Sequence, residues 1–273
     1  LTEERVLITG ASGGVGKFMR TRLRRPGRCL RLMDIVPPAP ADEDEAVEIV
    51  TGSINDPEVL ASAFDGVTAL IHLGGQSRED RWANILSTNI DGTHNVLEAA
   101  RVAEVRRVIL ASSNHSVGFR VVGEDGPDGL RADSSPRPDT YYGVSKAAIE
   151  ALGALYHHRF GMDVICVRIG TCFVAPWDIR GLSTWLSPDD AGRLFEACLT
   201  APSPGYRIIW GVSDNTRRVS SLREAEELGY RSVDNAEKFA AEIIDKVGVP
   251  DGPISGFVGG GFTTIPLGVW DPL

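Results

Sequence analysis

From residue 5 to about residue 170 the chain alternates short apolar runs with longer amphipathic stretches. The runs at 6–9, 30–33, 48–50, 69–72, 108–111 and 163–169 have the length and branched aliphatic content of strands covered on both faces. Between them, 15–23, 60–64, 88–103 and 142–160 carry helical spacing. Parallel strands joined by helices need right-handed crossovers. The pattern therefore predicts an α/β, doubly wound, mostly parallel sheet of the Rossmann-like type.

After residue 171 the alternation weakens among Pro176, Pro188 and Pro204, with helices expected at 188–200, 221–228 and 236–247. We read 1–171 as the core and 172–273 as a small C-terminal substrate-binding part integral to the same domain. The segment 118–140 is rich in Gly, Pro, Asp and Arg. It reads as too polar for core and is expected as a surface loop beside the active edge, either lid or connector. The proline-rich 37–40 and the acidic 42–45 read as a solvated loop, and no fixed-period repeat or heptad is present.

Composition narrows the function classes. With 273 residues, 42% hydrophobic and 24% charged, the chain is built to fold around a core, which excludes disordered and fibrous classes. A formal charge of −9 argues against a nucleic-acid backbone or an anionic membrane surface as partner. Cys29, Cys166, Cys172 and Cys198 are spaced too irregularly for a zinc ribbon or a CxxC pair, so a reduced, cytoplasmic compartment is expected. The histidines fall in no HExxH spacing, and no catalytic metal is expected. Neither a secretory leader nor an 18-residue apolar run is visible.

The first strand empties into Thr9-Gly10-Ala11-Ser12-Gly13-Gly14-Val15-Gly16 at the start of a helix. In that setting glycines serve three ends: a tight turn, backbone approach to a pyrophosphate, and close packing of helix on strand. The helix N-terminus adds N–H donors and partial positive charge. Asp34 closes the second strand, where a carboxylate accepts both ribose hydroxyls and repels a 2′-phosphate, so NAD is expected rather than NADP. Arg31 lies nearby, but a strand alternates its faces.

Tyr142 and Lys146 are four apart at a predicted helix start and share one face. A neighbouring ammonium together with an oxidised nicotinamide would favour the phenolate, making Tyr142 a candidate general base for a hydroxyl proton. The strand 108–111 ends in Ser112-Ser113-Asn114-His115, at the sheet edge where such folds bind ligands. Ser113 can hydrogen-bond a reacting hydroxyl; a Ser/Asn turn with a satisfied histidine fits the same residues. No GxSxG elbow supports a serine hydrolase.

Together, the glycine turn, Ser113 and Tyr142-x-x-x-Lys146 resemble the extended short-chain dehydrogenase/reductases over residues 5–171. Four blocks narrow the resemblance: Ala111-Ser-Ser-Asn-His-Ser-Val-Gly118, Tyr142-Gly-Val-Ser-Lys146, Val167-Arg-Ile-Gly-Thr-Cys172 and Leu182-Ser-Thr-Trp-Leu-Ser-Pro-Asp-Asp190. These are similar to the bacterial uronate dehydrogenase family, whose members oxidise C1 of pyranose D-galacturonate or D-glucuronate with NAD to an aldarolactone.

The resemblance implies Tyr142 as base, Lys146 on the nicotinamide ribose and Ser113 on the C1 hydroxyl. It adds Leu73, Gly74, Gly75, Ser53, Ile54 and Cys172 to the cofactor site. Ser77, Asn114, His115, Thr171 and Arg180 would face a sugar acid, Arg180 receiving its carboxylate in a bidentate fork. Self-association into a homo-oligomer is also implied. The chain departs from the family at Thr171, where a serine is usual, and at Ser53-Ile54, where an aspartate often reaches the adenine. The first keeps the hydroxyl and adds a methyl; the second leaves a neutral hydrogen bond to the base. The competing readings are a nucleotide-sugar epimerase or dehydratase of the same fold, and an NAD-binding regulator without chemistry.

Overall fold

The computed structural model describes residues 4–248 and 256–269. In chain order the elements are β1 (Glu4–Thr9), α1 (Gly14–Arg22), β2 (Arg28–Asp34), β3 (Val47–Thr51), α2 (Pro57–Ala63), β4 (Ala69–His72) and α3 (Trp82–Ile85). A π-helical turn, Leu86–Asp91, leads into α4 (Gly92–Val102), followed by β5 (Arg107–Ser113), a 3-10 turn (Asn114–Val117), α5 (Tyr141–Phe160), β6 (Asp163–Ile169) and β7 (Thr171–Cys172). The rest comprises α6 (Gly181–Thr184), β8 (Trp185–Leu186), α7 (Pro188–Thr200), β9 (Tyr206–Gly211), α8 (Arg223–Glu227) and α9 (Ala240–Val247).

Seven strands pair, all parallel, in the order β3-β2-β1-β4-β5-β6-β9. Strand periodicity sorts their side chains into two cores. Val6, Ile8, Leu30, Leu32, Ile165 and Val167 pack under α1 and α7 through Met19, Leu194 and Phe195. Leu7, Leu70, Val108, Leu110, Val164 and Cys166 pack under α2, α4 and α5 through Leu60, Leu97 and Tyr156. Winding runs outward from β1 through β2 to β3, then resumes on the other side with β4. The reversal opens a crevice at the carboxyl ends of β1 and β4, where doubly wound sheets bind ligands.

Three details differ from the reading of the sequence. β9 was not anticipated: residues after 172 return to the central sheet, with Val164 paired to Tyr206 and Ile169 to Gly211. The polar segment 118–140 is not all surface, since Leu130 and Ala132 are buried and the Leu130 carbonyl accepts from Trp210 Nε1 at 2.8 Å. Its polar majority faces outward while this pair plugs the first core. The acidic run also tucks Glu45 against Arg20, whose guanidinium lowers that carboxyl to about 2.

Among the described residues, no helix is long and apolar enough to cross a membrane, and no group of three His, Cys, Asp or Glu could hold a metal ion. All four cysteines are free and buried.

Candidate active site

The glycine turn forms the crevice floor. At Gly10, whose φ is +70°, a Cβ would stand 2.7 Å from the Gly74 nitrogen, and one on Gly16 would collide with the Gly10 carbonyl. These contacts pull β1, β4 and α1 together. Gly13 and Gly14 are exposed, and α1 begins without a side-chain cap or an acidic residue in its first turn. Its leading N–H groups are therefore free to meet a diphosphate, which is the fit a dinucleotide requires. Val15 stands half-buried in the same turn.

Asp34 ends β2 with Oδ2 accepting from Ser12 N–H at 2.9 Å and Oδ1 from Val36 N–H at 3.1 Å. Arg31 points elsewhere: it pairs with Glu48 at 2.6 Å and donates to the carbonyls of Ala63 and Asp65, both at 2.7 Å. Leu73 and Gly74 follow β4 and are held by Thr9, whose carbonyl accepts from Leu73 N–H and whose hydroxyl accepts from Gly74 N–H. Gly75 has φ +152°. The Ser53 hydroxyl accepts from Asn55 N–H in the turn after β3, and Ile54 packs on Gly92. Cys172 is buried in the first core, with its thiol pushed up to about 12 by burial, so any contact to a cofactor falls to its backbone.

Tyr142, Lys146 and Ser113 converge. Helix α5 is started by Thr140, whose hydroxyl accepts from Gly143 N–H at 3.0 Å. It packs against the 114–117 turn because residue 143 has no Cβ to strike the His115 carbonyl. Lys146 Nζ lies 5.4 Å from the Tyr142 ring centroid and donates to the Ala111 carbonyl at 2.7 Å. Ser113 Oγ accepts from His115 N–H at 3.3 Å and also lies in hydrogen-bonding reach of the Tyr142 phenol.

The protein's own groups raise the phenol and lower the ammonium. Burial raises Tyr142 to about 12 against the pull of Ser113, and burial lowers Lys146 to about 8 against the nearby Glu150. Desolvation is the main cause in both groups, and the Asp139 charge adds to the rise of the phenol.

The substrate-side residues divide. Asn114, His115 and Arg180 come together beside the trio. Arg180 Nε and Nη2 donate to the Val258 carbonyl at 3.2 and 3.1 Å. The Asn114 amide is satisfied when its oxygen accepts from Arg180 and its NH2 donates to the Ile169 carbonyl at 3.2 Å. Burial lowers the pKa of Arg180, and among the described residues no carboxylate lies in ion-pair contact with it. Thr171 spends its hydroxyl on that of Thr184 at 3.2 Å, and Ser77 is exposed.

Four residues went unnoticed in the sequence. Glu79, fully buried, accepts from the N–H of Tyr142 at 2.8 Å and of Gly268 at 2.9 Å. Asn89, in the π-helical turn, grips both backbone groups of Gln76 and donates to the Ser145 hydroxyl. Such turns often mark functional sites. Asp139 Oδ2 lies 2.7 Å from His115 Nδ1, and Phe262 stacks on the same imidazole with ring centroids 3.9 Å apart. An Asn inside a predicted helix and an acid just ahead of a helix cap were the available signals.

Beneath the crevice runs a buried polar chain. Thr9 Oγ1 meets His72 Nδ1 at 2.7 Å, His72 Nε2 meets Thr93 Oγ1 at 3.0 Å, and Thr93 donates to the Asn89 carbonyl at 2.6 Å. Burial, helped by the Lys146 charge, lowers His72 to about 3 and keeps it neutral.

Comparison with known proteins adds to this geometry. The NAD dependent epimerase/dehydratase family matches residues 6–178. A uronate dehydrogenase of Pseudomonas putida is 40% identical over 259 residues, spanning 94% of this chain and 95% of that protein. An NAD-dependent glucose-6-phosphate dehydrogenase of Haloferax volcanii is 38% identical over 256 residues, 88% and 97% of the two chains. Among solved structures, a mutant uronate dehydrogenase from Agrobacterium tumefaciens complexed with NAD superposes with a TM-score of 0.89 at 37% identity, covering 96% of this chain and 98% of that one.

Proposed function

The chain belongs to the NAD dependent epimerase/dehydratase family, and within it to the uronate dehydrogenases; on that premise we propose that it oxidises the anomeric C1 hydroxyl of a pyranose hexuronate, D-galacturonate or D-glucuronate, to the aldarolactone. It is an NAD-dependent oxidoreductase. The observation that carries the substrate assignment is Arg180: a desolvated guanidinium, without a carboxylate in ion-pair contact among the described residues, stands beside the Ser113–His115 turn. Nε and Nη2 already donate to the Val258 carbonyl, so Nη1 is the group left to donate to a carboxylate.

The residues fit the cofactor. The free N–H groups opening α1 would take the pyrophosphate, Asp34 the adenosine ribose, Ser53 the base and Lys146 the nicotinamide ribose. Bound NAD supplies the hydride acceptor and a positive charge beside the phenol. Tyr142 takes the C1 hydroxyl proton, while Ser113 hydrogen-bonds the same oxygen. C1 is a hemiacetal carbon, so loss of its hydrogen as hydride and of the hydroxyl proton leaves a lactone carbonyl. Lys146, anchored on Ala111, holds its charge near the forming phenolate. Glu79 and Thr140 fix the start of α5 and with it the phenol.

The test is absorbance at the NADH band on mixing the protein with NAD and, separately, D-galacturonate, D-glucuronate, glucose, galactose and glucose 6-phosphate. A rise with the uronates alone supports the proposal. A rise with glucose 6-phosphate instead would assign Arg180 to a phosphate. No net NADH from any sugar, with NAD bound, would favour the epimerase or dehydratase reading, in which the cofactor is returned unchanged.

A further inference from the structure

Asp139 is buried where three glycines meet. A Cβ at Gly118, Gly143 or Gly259 would strike it, so the 118–140 segment, α5 and the C-terminal segment all approach the same side chain through glycine. Its hydrogen bonds have a defined direction. Thr140 Oγ1 already accepts from Gly143 N–H, so its own O–H donates to Asp139 Oδ1 at 3.0 Å. The other oxygen, Oδ2, faces His115 Nδ1 at 2.7 Å. A carboxylate acting as acceptor requires the imidazole proton on Nδ1.

We propose that Asp139 is a positioning residue that fixes His115 as the Nδ1–H tautomer, so that Nε2 meets the substrate as a hydrogen-bond acceptor and selects a sugar with a free hydroxyl at that position. This rests on the function proposed above and deepens it. His115 is 7% exposed, and its Nε2 has no hydrogen-bond partner among the described residues. Phe262 covers the ring face at 3.9 Å, and the Tyr142 ring stands edge-on at 5.8 Å, so the imidazole is held in place. Burial lowers the His115 pKa, the Arg180 charge adds to that, and the contact with Asp139 opposes it; the net direction keeps the ring neutral.

An unpartnered acceptor on a buried ring is satisfied by a donor and left unpaired by fluorine, an ether or a phosphate-ester oxygen. Arg180 and His115 then form complementary halves of the sugar site, one donating to a carboxylate and the other accepting from a hydroxyl.

The test uses the whole chain and its Asp139→Asn variant. An asparagine oxygen can still accept from Thr140, while its NH2 would donate to Nδ1 and move the ring proton to Nε2. Nitrogen-15 NMR of the histidine rings should show Nδ1 protonated in the parent and Nε2 protonated in the variant. In parallel, uronates carrying fluorine in place of one hydroxyl at C2, C3 or C4 are compared with the parent sugar. At the position facing His115, fluorine should lower kcat/KM by about 10- to 100-fold in the parent protein, and by less than about 3-fold in Asp139→Asn. A bare Nδ1 in the parent, or equal discrimination in both proteins, would overturn the proposal. The NMR arm needs no turnover, so a chain that oxidises no uronate would defeat the proposed function while still testing the tautomer.

Discussion

Asp34 and Arg31 lie three residues apart on β2 and send opposite charges to opposite faces of the sheet. Asp34 is held by Ser12 N–H at the crevice, whereas Arg31 is spent on Glu48 and the carbonyls at the end of α2. Strand alternation is the cause. The Arg31 guanidinium is therefore unavailable to a 2′-phosphate. Asp34→Ala should weaken NAD binding by about 10-fold and relax rejection of NADP, as the loss of a charged acceptor predicts. Arg31→Ala should lower stability and leave the NAD/NADP affinity ratio unchanged. Fluorescence titrations of both cofactors check the pair.

Arg180→Ala should raise KM for the uronate with a loss in kcat/KM of about 100-fold, because a buried charge-assisted contact is removed. NAD affinity should stay the same. Arg180→Lys should recover little of the loss, since an ammonium cannot reproduce the fork. Unaltered uronate kinetics in the alanine variant would defeat the carboxylate assignment.

Removing the phenol oxygen by Tyr142→Phe should lower kcat by about 10²- to 10⁴-fold, the usual contribution of a positioned acid or base. The fold and NAD affinity should be retained, because the ring keeps its packing. Stopped-flow turnover and a cofactor titration on the same sample separate chemistry from binding.

His72 supplies a pH signature. Unfolded, it titrates near 6.5; folded, its pKa is pushed down to about 3. Above pH 6.5 neither state holds the proton. As the pH falls below that value the unfolded chain gains one that the folded chain refuses, so stability drops by about 1.4 kcal/mol per pH unit for this group. His115, also lowered, acts in the same direction. Urea unfolding between pH 6 and 5 should show this slope, and His72→Gln should flatten it by about one proton.

Much of the fold was legible because the central strands are continuous apolar runs. Ala69–His72 and Asp163–Ile169 match their predicted bounds, and Pro188–Thr200 is a helix as read. β9 escaped notice because it is a half-exposed edge strand, with Arg207 outward and a proline just before it. The glycine turn, Asp34, Tyr142 and Lys146 were readable because their spacing is local. Glu79, Asp139 and Phe262 were not: Glu79 acts on Tyr142 and on Gly268, 63 and 189 residues away, and Asp139 looked like one more polar residue in a loop. Their partners exist only in the folded chain.

The enclosure of Asp139 sets the order in which substitutions can be accepted. The three atoms nearest a methyl at Gly118 all belong to Asp139, and at Gly259 the nearest is the same carboxylate, whereas at Gly143 the nearest is the His115 carbonyl. Trimming Asp139 to alanine leaves its Cβ 2.7 Å from a methyl at Gly118, so it should ease Gly118→Ala and Gly259→Ala in part, but leave Gly143→Ala as damaging as before. Two of these glycines answer to a single neighbouring side chain, and their effects combine non-additively with its loss. The third answers to the backbone and stays fixed whichever residue occupies 139.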